Sequence, residues 1–417
     1  MTALAHSGAH QYIERATGAV RTEQLIADRA VGWLYSTARE HAPTLFKALT
    51  SRVATDLIAA LNYSVSLRTP WIGVAHKLRK LGVNIEEMVA APHASTSLRE
   101  IFERQIRYWE CRPLPEHSAR VVSPCDARVL VGNSAGRQAL LIKQKFFELA
   151  ELFGAERKAQ PFAGGDWAIF RLTPEKYHYN HVPVSGRVVD FYEVDGAFHS
   201  CNPSALISVA SPYARNRRAV TIIDSDVVDG TGVGRVAMIE VVALMIGQVV
   251  QRYSEIGYSG ARPLGRGMFI GRGAVKSLFR PGSSTVLLLF EKGRIKFDDD
   301  LLGNSRRTDV CSRFSVGFGA PLVETDVRVR SSIGVAIQPD GNADWGATEG
   351  TENEEIQRST GECLGGGTEA RFPRTGGFAA NVSARRDGGD GGGLRAAIVT
   401  PTLALPRRGG WNSSLFT

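Results

Sequence analysis

Apolar residues in the opening part of the chain recur at spacings of three and four, which is typical of amphipathic helices. Between about Thr22 and Tyr63 they form two groups, namely Leu25, Ile26, Ala30, Val31 and Leu34, then Leu57, Ile58 and Leu61. Ser97 with Glu100 fits a capping box at the start of a later helix. We predict that residues 1–110 form a helical region, with residues 1–20 frayed because they are small and polar.

The predicted helices allow two placements. Part of their surface is aromatic and basic, which suits the headgroup region of a membrane. The residues concerned are Trp33, Leu34, Tyr35, Trp71, Lys77, Arg79 and Lys80. Moderately amphipathic helices more often pack against the rest of their own protein. We therefore expect the helical region either to cover the following domain or to lie against a membrane.

From about Arg120 the pattern changes to short runs of β-branched and aliphatic residues, separated by Gly, Pro, Asn and Asp. The clearest runs cover residues 128–131, 188–192, 219–223 and 286–290. A helix is predicted from about Lys143 to Gly154. Residues 111–336 are therefore expected to form a β-rich, mainly antiparallel core with inserted helices, which is an α+β arrangement.

Beyond residue 336 the composition changes again, since 16 of the 44 glycines fall there among Ser, Thr, Arg and acidic residues. Such a segment buries too little apolar surface to offset the entropy cost of ordering it. We expect residues 337–417 to be a disordered, low-complexity tail.

A chain of 417 residues with 43% apolar and 22% charged residues has the composition of an ordinary globular protein and has room for two domains. Its longest apolar run, residues 236–250, contains Glu240 and is shorter than the roughly 20 residues of a spanning helix. No basic and apolar leader begins the chain, so we expect no secretory signal. Any membrane contact is therefore expected to be peripheral.

The net charge of +8 is carried by the part before the tail, because residues 1–336 have a net charge of +10. A basic body favours approach to an anionic membrane or to nucleic acid. The basic residues are scattered and no nucleic-acid-binding motif accompanies them, so nucleic acid is not an expected partner. The five cysteines lack C-x-x-C spacing, so no metal site is expected.

Two adjacent serines, Ser283 and Ser284, lie in a turn that leads directly into a predicted buried strand. The stretch runs Arg280-Pro281-Gly282-Ser283-Ser284-Thr285 and continues through Val286 to Phe290. Pro and Gly before small hydroxyl residues are typical of turns. A tight turn on a rigid strand can aim a hydroxyl at a neighbouring peptide bond, although most such turns are only turns.

Two further segments change that interpretation, namely Tyr177-His178-Tyr179-Asn180-His181-Val182-Pro183 and Ser123-Pro124-Cys125-Asp126. In content and order the three segments resemble those of the phosphatidylserine decarboxylase family. In that family an Asp follows Ser-Pro, a Tyr-His-x-x-His-x-Pro segment comes next, and a Gly-Ser-Thr-type segment precedes an apolar strand. The resemblance covers about residues 100–336.

The resemblance implies a chain that cuts its own backbone. A serine hydroxyl attacks the carbonyl of the preceding residue, the amide becomes an ester, and elimination followed by hydrolysis leaves a covalent pyruvoyl group on the downstream fragment. Counted back from the strand, Ser284 is the pyruvoyl precursor, and the cleavage junction lies between Ser283 and Ser284. Ser283 stands where the family usually has Gly, so Ser283 stays open as the alternative precursor, with a junction after Gly282.

By motif position, His181 is the base of the self-cleavage and Asp126 is the carboxylate that orients it, as in a Ser-His-Asp triad. His178 resembles the family histidine of the decarboxylation step, where protonating the carbanion is its simplest role. Positions three apart on a strand point to opposite faces, so both histidines reach one site only if the segment turns. Pro183 and Gly186 allow such a turn.

The implied function is a pyruvoyl-dependent decarboxylase that converts phosphatidylserine to phosphatidylethanolamine and CO2 through a Schiff base. A pyruvoyl enzyme acting on a free amino acid is the nearest alternative, because the scaffold fixes the cofactor and not the tail of the amine. A Ser-His-Asp hydrolase is less favoured, because no G-x-S-x-G segment surrounds the serines.

The resemblance also implies the partners. They are an anionic phospholipid substrate, a membrane surface contacted peripherally, and the chain's own two fragments, which stay associated. Whether the chain also forms a homo-oligomer is left open by the resemblance. The implied location is the cytoplasmic side of a membrane.

Overall fold

The computed structural model of the chain describes residues 9–25, 44, 82–90, 98–132, 148–208, 212–243, 248–280 and 284–337. Most of the predicted N-terminal helices and nearly all of the glycine-rich segment therefore lie outside the described residues. Within the described residues, no helix is both long enough and apolar enough to cross a membrane.

Most of the strands come from the runs of β-branched and aliphatic residues. In chain order they are β1 (Gln11–Glu14), β2 (Val20–Thr22), β3 (Arg120–Val122), β4 (Ala127–Gly132), β5 (Trp167–Leu172), β6 (Tyr179–His181), β7 (Gly186–Val194), β8 (Arg218–Asp224), β9 (Arg235–Val242), β10 (Val249–Ser254), β11 (Phe269–Ile270), β12 (Val275–Phe279), β13 (Ser284–Phe290), β14 (Ile295–Phe297), β15 (Thr325–Val327) and β16 (Ser332–Ala336).

The strands form one large sheet and two small ones. The ten-stranded sheet has the order β11-β7-β8-β9-β13-β5-β4-β15-β1-β2, and the small sheets have the orders β10-β12-β6 and β14-β16-β3. Neighbouring strands are antiparallel, apart from β1 and β15, which are parallel. The predicted α+β class with a mainly antiparallel sheet is confirmed at this level.

The helices are short and connect or flank the strands. They are α1 (Leu98–Phe102), α2 (Tyr108–Cys111), α3 (Leu149–Phe153), α4 (Glu156–Ala159), α5 (Pro203–Ser208), α6 (Pro212–Arg215), α7 (Asp299–Ser305) and α8 (Arg313–Phe318). Helix α3 ends at Gly154, as predicted, and this glycine has the left-handed φ of 67° that helix ends favour. The predicted start of that helix at Lys143 lies outside the described residues.

Strand β13 lies in the middle of the ten-stranded sheet, between β9 and β5, and it is buried along its whole length. Val286 belongs to the same apolar cluster as Phe279 of β12, whereas Leu287 belongs to the same cluster as Phe153 of α3. The small sheets therefore cover one face of β13 and helices cover the other. Because residues two apart on a strand share a face, Ser284 points toward the small sheets.

The first described residues are part of the large sheet, so the prediction that residues 1–20 fray is wrong for this part. Strand β1 pairs with β15, with Ile13 opposite Thr325, and Ile13 is fully buried beside Val310. The sequence could not show this, because one buried residue in a four-residue strand leaves no periodic pattern. Of the predicted helical region, residues 1–8, 26–43, 45–81 and 91–97 lie outside the described residues.

Candidate active site

Ser284 is the first residue of β13 and is fully buried. It lies opposite Leu172 of β5 and Val242 of β9, so its backbone is held on both sides. Among the described residues, its Oγ atom has no hydrogen-bond partner. Ser283, the alternative precursor, lies outside the described residues, so the choice between the two serines stays a prediction.

The two histidines reach this part of the fold through the small sheet that contains β6 and β12. Phe279, the last residue of β12, donates its N–H to the carbonyl oxygen of His178 at 3.0 Å, and Leu278 lies opposite Tyr179. The chain then needs only five residues from Phe279 to Ser284. The pairing of β6 with β12 therefore brings the histidine segment next to the chain that leads into the serine.

His178 is a buried, neutral imidazole with one free nitrogen. Its Nδ1 donates to the carbonyl oxygen of Lys176 at 2.8 Å, while its Nε2 has no partner within the described segments. The ring packs against Phe102, with 3.7 Å between centroids. Burial, together with the positive charge of Arg104, lowers the pKa of His178 to about 3. The lone pair on Nε2 is therefore available to accept a proton at neutral pH.

His181 is also buried, but both of its ring nitrogens have partners. Nδ1 donates to the carbonyl oxygen of Gly273 at 2.9 Å, and Nε2 lies 3.0 Å from Tyr177 Oη. The edge of the ring contacts Tyr108 at 4.7 Å between centroids. Burial lowers the pKa of His181 to about 4, although the hydrogen bond to Gly273 opposes this shift.

Gly273 presents its carbonyl to His181 from a left-handed backbone conformation with φ of 77°. A Cβ atom at this position would lie 2.7 Å from Leu114 Cδ1. Both the conformation and the close approach favour glycine. Gly273 thus fixes which nitrogen of His181 carries the hydrogen.

Asp126 is buried, but its partner is Arg112 and not His181. Arg112 donates to both carboxylate oxygens, at 3.1 and 2.8 Å, and the Val329 N–H adds a third hydrogen bond at 2.7 Å. Burial alone would raise the pKa of Asp126, but the charge and hydrogen bonds of Arg112 outweigh it and lower the pKa.

The predicted pairing of Asp126 with His181 is therefore not made in the described structure, because an arginine takes both oxygens. The link between them is indirect. Arg112 directly follows helix α2, and Tyr108 at the other end of that helix packs on the His181 ring. Asp126 thus helps to place α2 against the histidine.

A second buried polar cluster lies on the same face of β13. Glu240 is opposite Val286, two residues beyond Ser284, and Lys276 Nζ donates to Glu240 Oε2 at 2.6 Å. Asn180 Nδ2 donates to Glu240 Oε1 at 3.0 Å, and Ser277 donates to the same oxygen. Every charge in this cluster has an opposite partner, which is typical of a structural ion pair.

A cavity of about 390 Å³ opens on the Val242 side of the serine position. The charged residues that line it are three arginines and one glutamate, namely Arg217, Arg218, Arg280 and Glu193. Arg280 donates through Nη1 to Gln248 at 2.7 Å, while its Nε has no partner among the residues that the structure describes. The cavity therefore places positive charge beside Val242, the residue of β9 that pairs with Ser284.

The sequence missed three contributors to the site. Tyr177 lies inside the histidine segment and could have been noticed there. Arg112 and Tyr258 carry no local signal, because each acts through a contact with a residue distant in the chain.

The family model for phosphatidylserine decarboxylase matches residues 98–315 of the chain, a range that includes Asp126, His178, His181 and Ser284. A phosphatidylserine decarboxylase proenzyme of Chlamydia trachomatis is 30% identical over 324 residues, which is 78% of this chain and 96% of the relative. The proenzyme of Ruminiclostridium cellulolyticum is 30% identical over 294 residues, which is 70% of this chain and 91% of the relative.

A more distant likeness is to phosphatidylserine decarboxylase proenzyme 2 of Oryza sativa, which is 30% identical over 236 residues, 56% of this chain and 35% of the relative. The bacterial relatives are matched along almost their whole length. Together with the sheet, the two histidines and the buried serine, these matches show that this chain belongs to the phosphatidylserine decarboxylase family.

Proposed function

We propose that this chain is a self-processing, pyruvoyl-dependent decarboxylase that converts phosphatidylserine to phosphatidylethanolamine and CO2. The observation that carries the proposal is the hydroxyl of Ser284, which is buried at the start of β13 and has no hydrogen-bond partner in the part of the chain that the structure describes. Burying a hydroxyl in this way costs about 1–3 kcal/mol. Such a cost at the residue that the family motif assigns to cleavage supports a chemical role.

Self-cleavage requires the Ser284 hydroxyl to lose its proton as Oγ bonds to the carbonyl carbon of residue 283. The C–N bond to residue 284 then breaks, its amine takes up a proton, and an ester joins the two residues. Loss of the Ser284 Cα proton expels the carboxylate of residue 283. Water then replaces the nitrogen, which leaves as ammonia, and the new N-terminus is a pyruvoyl group.

The two histidines can serve as bases because both are neutral near pH 7. Burial lowers the pKa of His178 to about 3 and the pKa of His181 to about 4. We assign His181 to the self-cleavage and His178 to the decarboxylation, as the family motif does. The Nε2 of His178, which has no partner among the described residues, can carry the proton that the product carbon receives.

The site fits a group made from Ser284, because this side chain occupies a buried position with no competing hydrogen bond. The pyruvoyl carbonyl would supply an electron sink for the pair left when CO2 departs. Its surroundings are apolar apart from the histidine segment and the Glu240 pair. Exclusion of water strengthens any charge interaction made there.

The basic cavity beside Val242 supports an anionic substrate. Arg218 in its lining is already bound to backbone carbonyls, but Arg280 brings a guanidinium group of the kind that binds phosphate, and within the described chain its Nε has no partner. A phospholipid headgroup in this cavity would sit next to the cleavage position. We therefore propose that the Arg280 side of the cavity holds the substrate phosphate.

An exposed apolar patch supports peripheral contact with a membrane. The Trp109 side chain is 50% exposed and lies against the backbone of Gly257, whose neighbour Ile256 is 79% exposed. Arg252 is exposed on the same segment of chain. Trp and Ile with nearby basic residues suit the interface of an anionic membrane. The cytoplasmic side of that membrane stays a prediction.

Intact-mass measurement of the purified chain tests self-processing. We expect a short fragment that begins at residue 284 and bears a ketone that reacts with carbonyl reagents. Ser284→Ala should stay uncut, whereas the matched control Ser283→Ala should still be cut. A wild-type chain that stays whole, or a cut Ser284→Ala chain, would overturn the proposal.

A CO2-release assay then identifies the substrate. Phosphatidylserine in mixed vesicles should release CO2, and free serine should not. Release from free serine alone would point to the amino-acid decarboxylase instead. Arg280→Met should raise KM for phosphatidylserine while the backbone is still cut.

A further inference from the structure

Asn180 is a fully buried residue of β6 that lies on the same side of the large sheet as the Ser284 side chain. It is opposite Ser277 of β12, and its Nδ2 donates to Glu240 of β9 at 3.0 Å. Glu240 is in turn opposite Val286, two residues beyond Ser284. Because residues two apart on a strand share a face, Glu240 marks the side to which Ser284 points.

His178 lies on the same face of the small sheet as Asn180. The N–H of Phe279 donates to the carbonyl oxygen of His178, which continues the pairing of β6 with β12 by one residue. Phe279 belongs to the same apolar cluster as Val286 of β13, so this face is turned toward the large sheet. His178 and Asn180 are two apart and therefore form a short row that faces the large sheet.

The side-chain amide of Asn180 has one favourable orientation. Its Nδ2 donates to Glu240 Oε1 and to Ser277 Oγ, both at 3.0 Å. Ser277 gives its own hydrogen to Glu240, so its oxygen can accept the hydrogen of the amide. A carboxylate only accepts, so a flipped amide would place two acceptors against each other.

Asn180 Oδ1 is an unpaired acceptor in a cluster that is otherwise fully hydrogen-bonded. Glu240 Oε2 accepts from Lys276 Nζ at 2.6 Å and from Gln251 Nε2 at 3.1 Å, and Gln251 Oε1 accepts from Lys276 Nζ at 3.1 Å. Among the described residues, Asn180 Oδ1 has no partner. Because buried polar atoms are nearly always paired, such an atom indicates a place for a further group.

The cluster borders the basic cavity. Gln251, which binds Glu240, lines the cavity together with Val242, the residue opposite Ser284. Glu240 and Val242 are two apart on β9 and share a face. The polar cluster and the serine position are therefore neighbours along one wall of the cavity.

We propose that Asn180 Oδ1 accepts a hydrogen bond from the amine of the substrate, so that Asn180 is a substrate-binding residue of the decarboxylation. This rests on the proposed function, in which an amine must reach the group made from Ser284. An amide oxygen only accepts. It suits the nitrogen of a serine headgroup, which carries hydrogens, and it disfavours the ionised carboxylate and the phosphate, which have none to donate.

The first test measures amine binding without turnover, in Asn180→Ala. The cut protein is mixed with micelles that contain phosphatidylethanolamine, cyanoborohydride reduces the adduct of amine and ketone, and intact mass gives the captured fraction. Half-maximal capture should need about tenfold more phosphatidylethanolamine than in the wild type, or more, because a hydrogen bond to a charged group is lost.

The matched control is Ser277→Ala. This change removes the hydrogen bonds of Ser277 to Glu240 and Asn180 but leaves Asn180 Oδ1 in place. Its capture of phosphatidylethanolamine should equal that of the wild type. A small hydrazine should label both variants fully, which shows that each has been cut and bears the ketone.

The second test is CO2 release from phosphatidylserine. For Asn180→Ala, kcat/KM should fall about tenfold or more, whereas Ser277→Ala should keep the wild-type value. Asn180→Ser serves if Asn180→Ala does not fold, because a serine offers Glu240 a donor and lacks the amide oxygen. It should show the same loss.

Equal capture by the wild type and both variants would overturn the inference, since Asn180 Oδ1 would then hold only a buried water. Equal losses in Asn180→Ala and Ser277→Ala would also overturn it, because the cluster would then act only through the fold. Folded Asn180 variants that stay uncut would assign Asn180 to the cleavage instead. A wild-type chain that is never cut would overturn the proposed function itself.

Discussion

Two buried polar clusters that contact the ten-stranded sheet differ in whether their polar atoms are paired. In the ion cluster, formed by His10, Glu23, Arg171 and Glu324, Arg171 donates to Glu324 at 2.9 Å and to Glu23 at 3.0 Å. His10 Nε2 lies 2.9 Å from Glu324. In the reaction site, formed by His178, His181 and Ser284, no described residue is a hydrogen-bond partner of Ser284 Oγ or His178 Nε2.

The two clusters show that buried polar groups can serve either the stability of the fold or its chemistry. Paired charges offset each other's desolvation and fix the N-terminal strands to the sheet, so they matter only for folding. Unpartnered groups cost about 1–3 kcal/mol each and keep their lone pairs free. Substitutions in the ion cluster should therefore change stability and spare the chemistry, and substitutions in the reaction site should do the opposite.

The largest effect is expected at the two histidines. His181→Asn should stay uncut, because the hydroxyl then has no base. His178→Asn should be cut but should decarboxylate about 10²–10⁴ times more slowly, because the product carbon loses its proton source. Gel electrophoresis and CO2 release measure the two steps separately. If His178→Asn also stays uncut, its free Nε2 acts in the cleavage and the two roles are exchanged.

The next effect is expected in the ion cluster. Arg171→Met should lower the free energy of unfolding by about 3–5 kcal/mol, since Glu23 and Glu324 would be left buried with less opposite charge. Chemical denaturation measures the loss. The control is Arg21→Met, because Arg21 is 55% exposed in its pair with Glu14 and should matter by less than about 1 kcal/mol. If Arg171→Met folds but is no longer cut, then the ion cluster takes part in the chemistry as well as in folding, and the contrast with the reaction site is wrong.

A smaller, pH-dependent effect is expected at Asp126. Arg112 holds its pKa below the usual value despite burial, so the ionised form stabilises the fold above the unfolded pKa of about 3.9. This stability is lost as pH falls through the lower, folded pKa. Asp126→Asn should therefore cost about 1–3 kcal/mol at pH 7 and much less near pH 2. A cost that is independent of pH would contradict the ion pair.

The smallest effect is expected from removing the serine hydroxyl. In the uncut His181→Asn background, Ser284→Ala should leave the free energy of unfolding unchanged or raise it by up to about 1 kcal/mol, because no hydrogen bond is lost. Ser277→Ala in the same background should lower it by about 1–2 kcal/mol, since Ser277 binds Glu240 and Asn180. Equal losses from the two changes would show that Ser284 is paired after all.

Three strands of the large sheet, β4, β8 and β13, were predictable because their signal is local. The run 286–290 lies within β13, 128–131 within β4 and 219–223 within β8, and each consists mainly of β-branched and aliphatic residues. Such stretches are typical of strands buried on both faces.

The partners within the site were not predictable, because they depend on contacts between distant residues. Asp126 pairs with Arg112 rather than with His181, and Tyr177 meets Tyr258 across 81 positions. Strand β1 joins the sheet beside β15 for the same reason. A motif identifies which residues take part, and only the fold decides which of them touch.

The place of β13 has a consequence for the cut protein. Cleavage before Ser284 would make β13 the first strand of the short fragment, yet β9 and β5 on either side belong to the long one. Strand β15 is likewise enclosed by β4 and β1, and β16 pairs with β3. The two products would be interleaved, so neither could leave without dismantling the sheet. Refolding after denaturation would then become bimolecular, with a yield that depends on protein concentration, whereas the uncut chain would refold at any dilution.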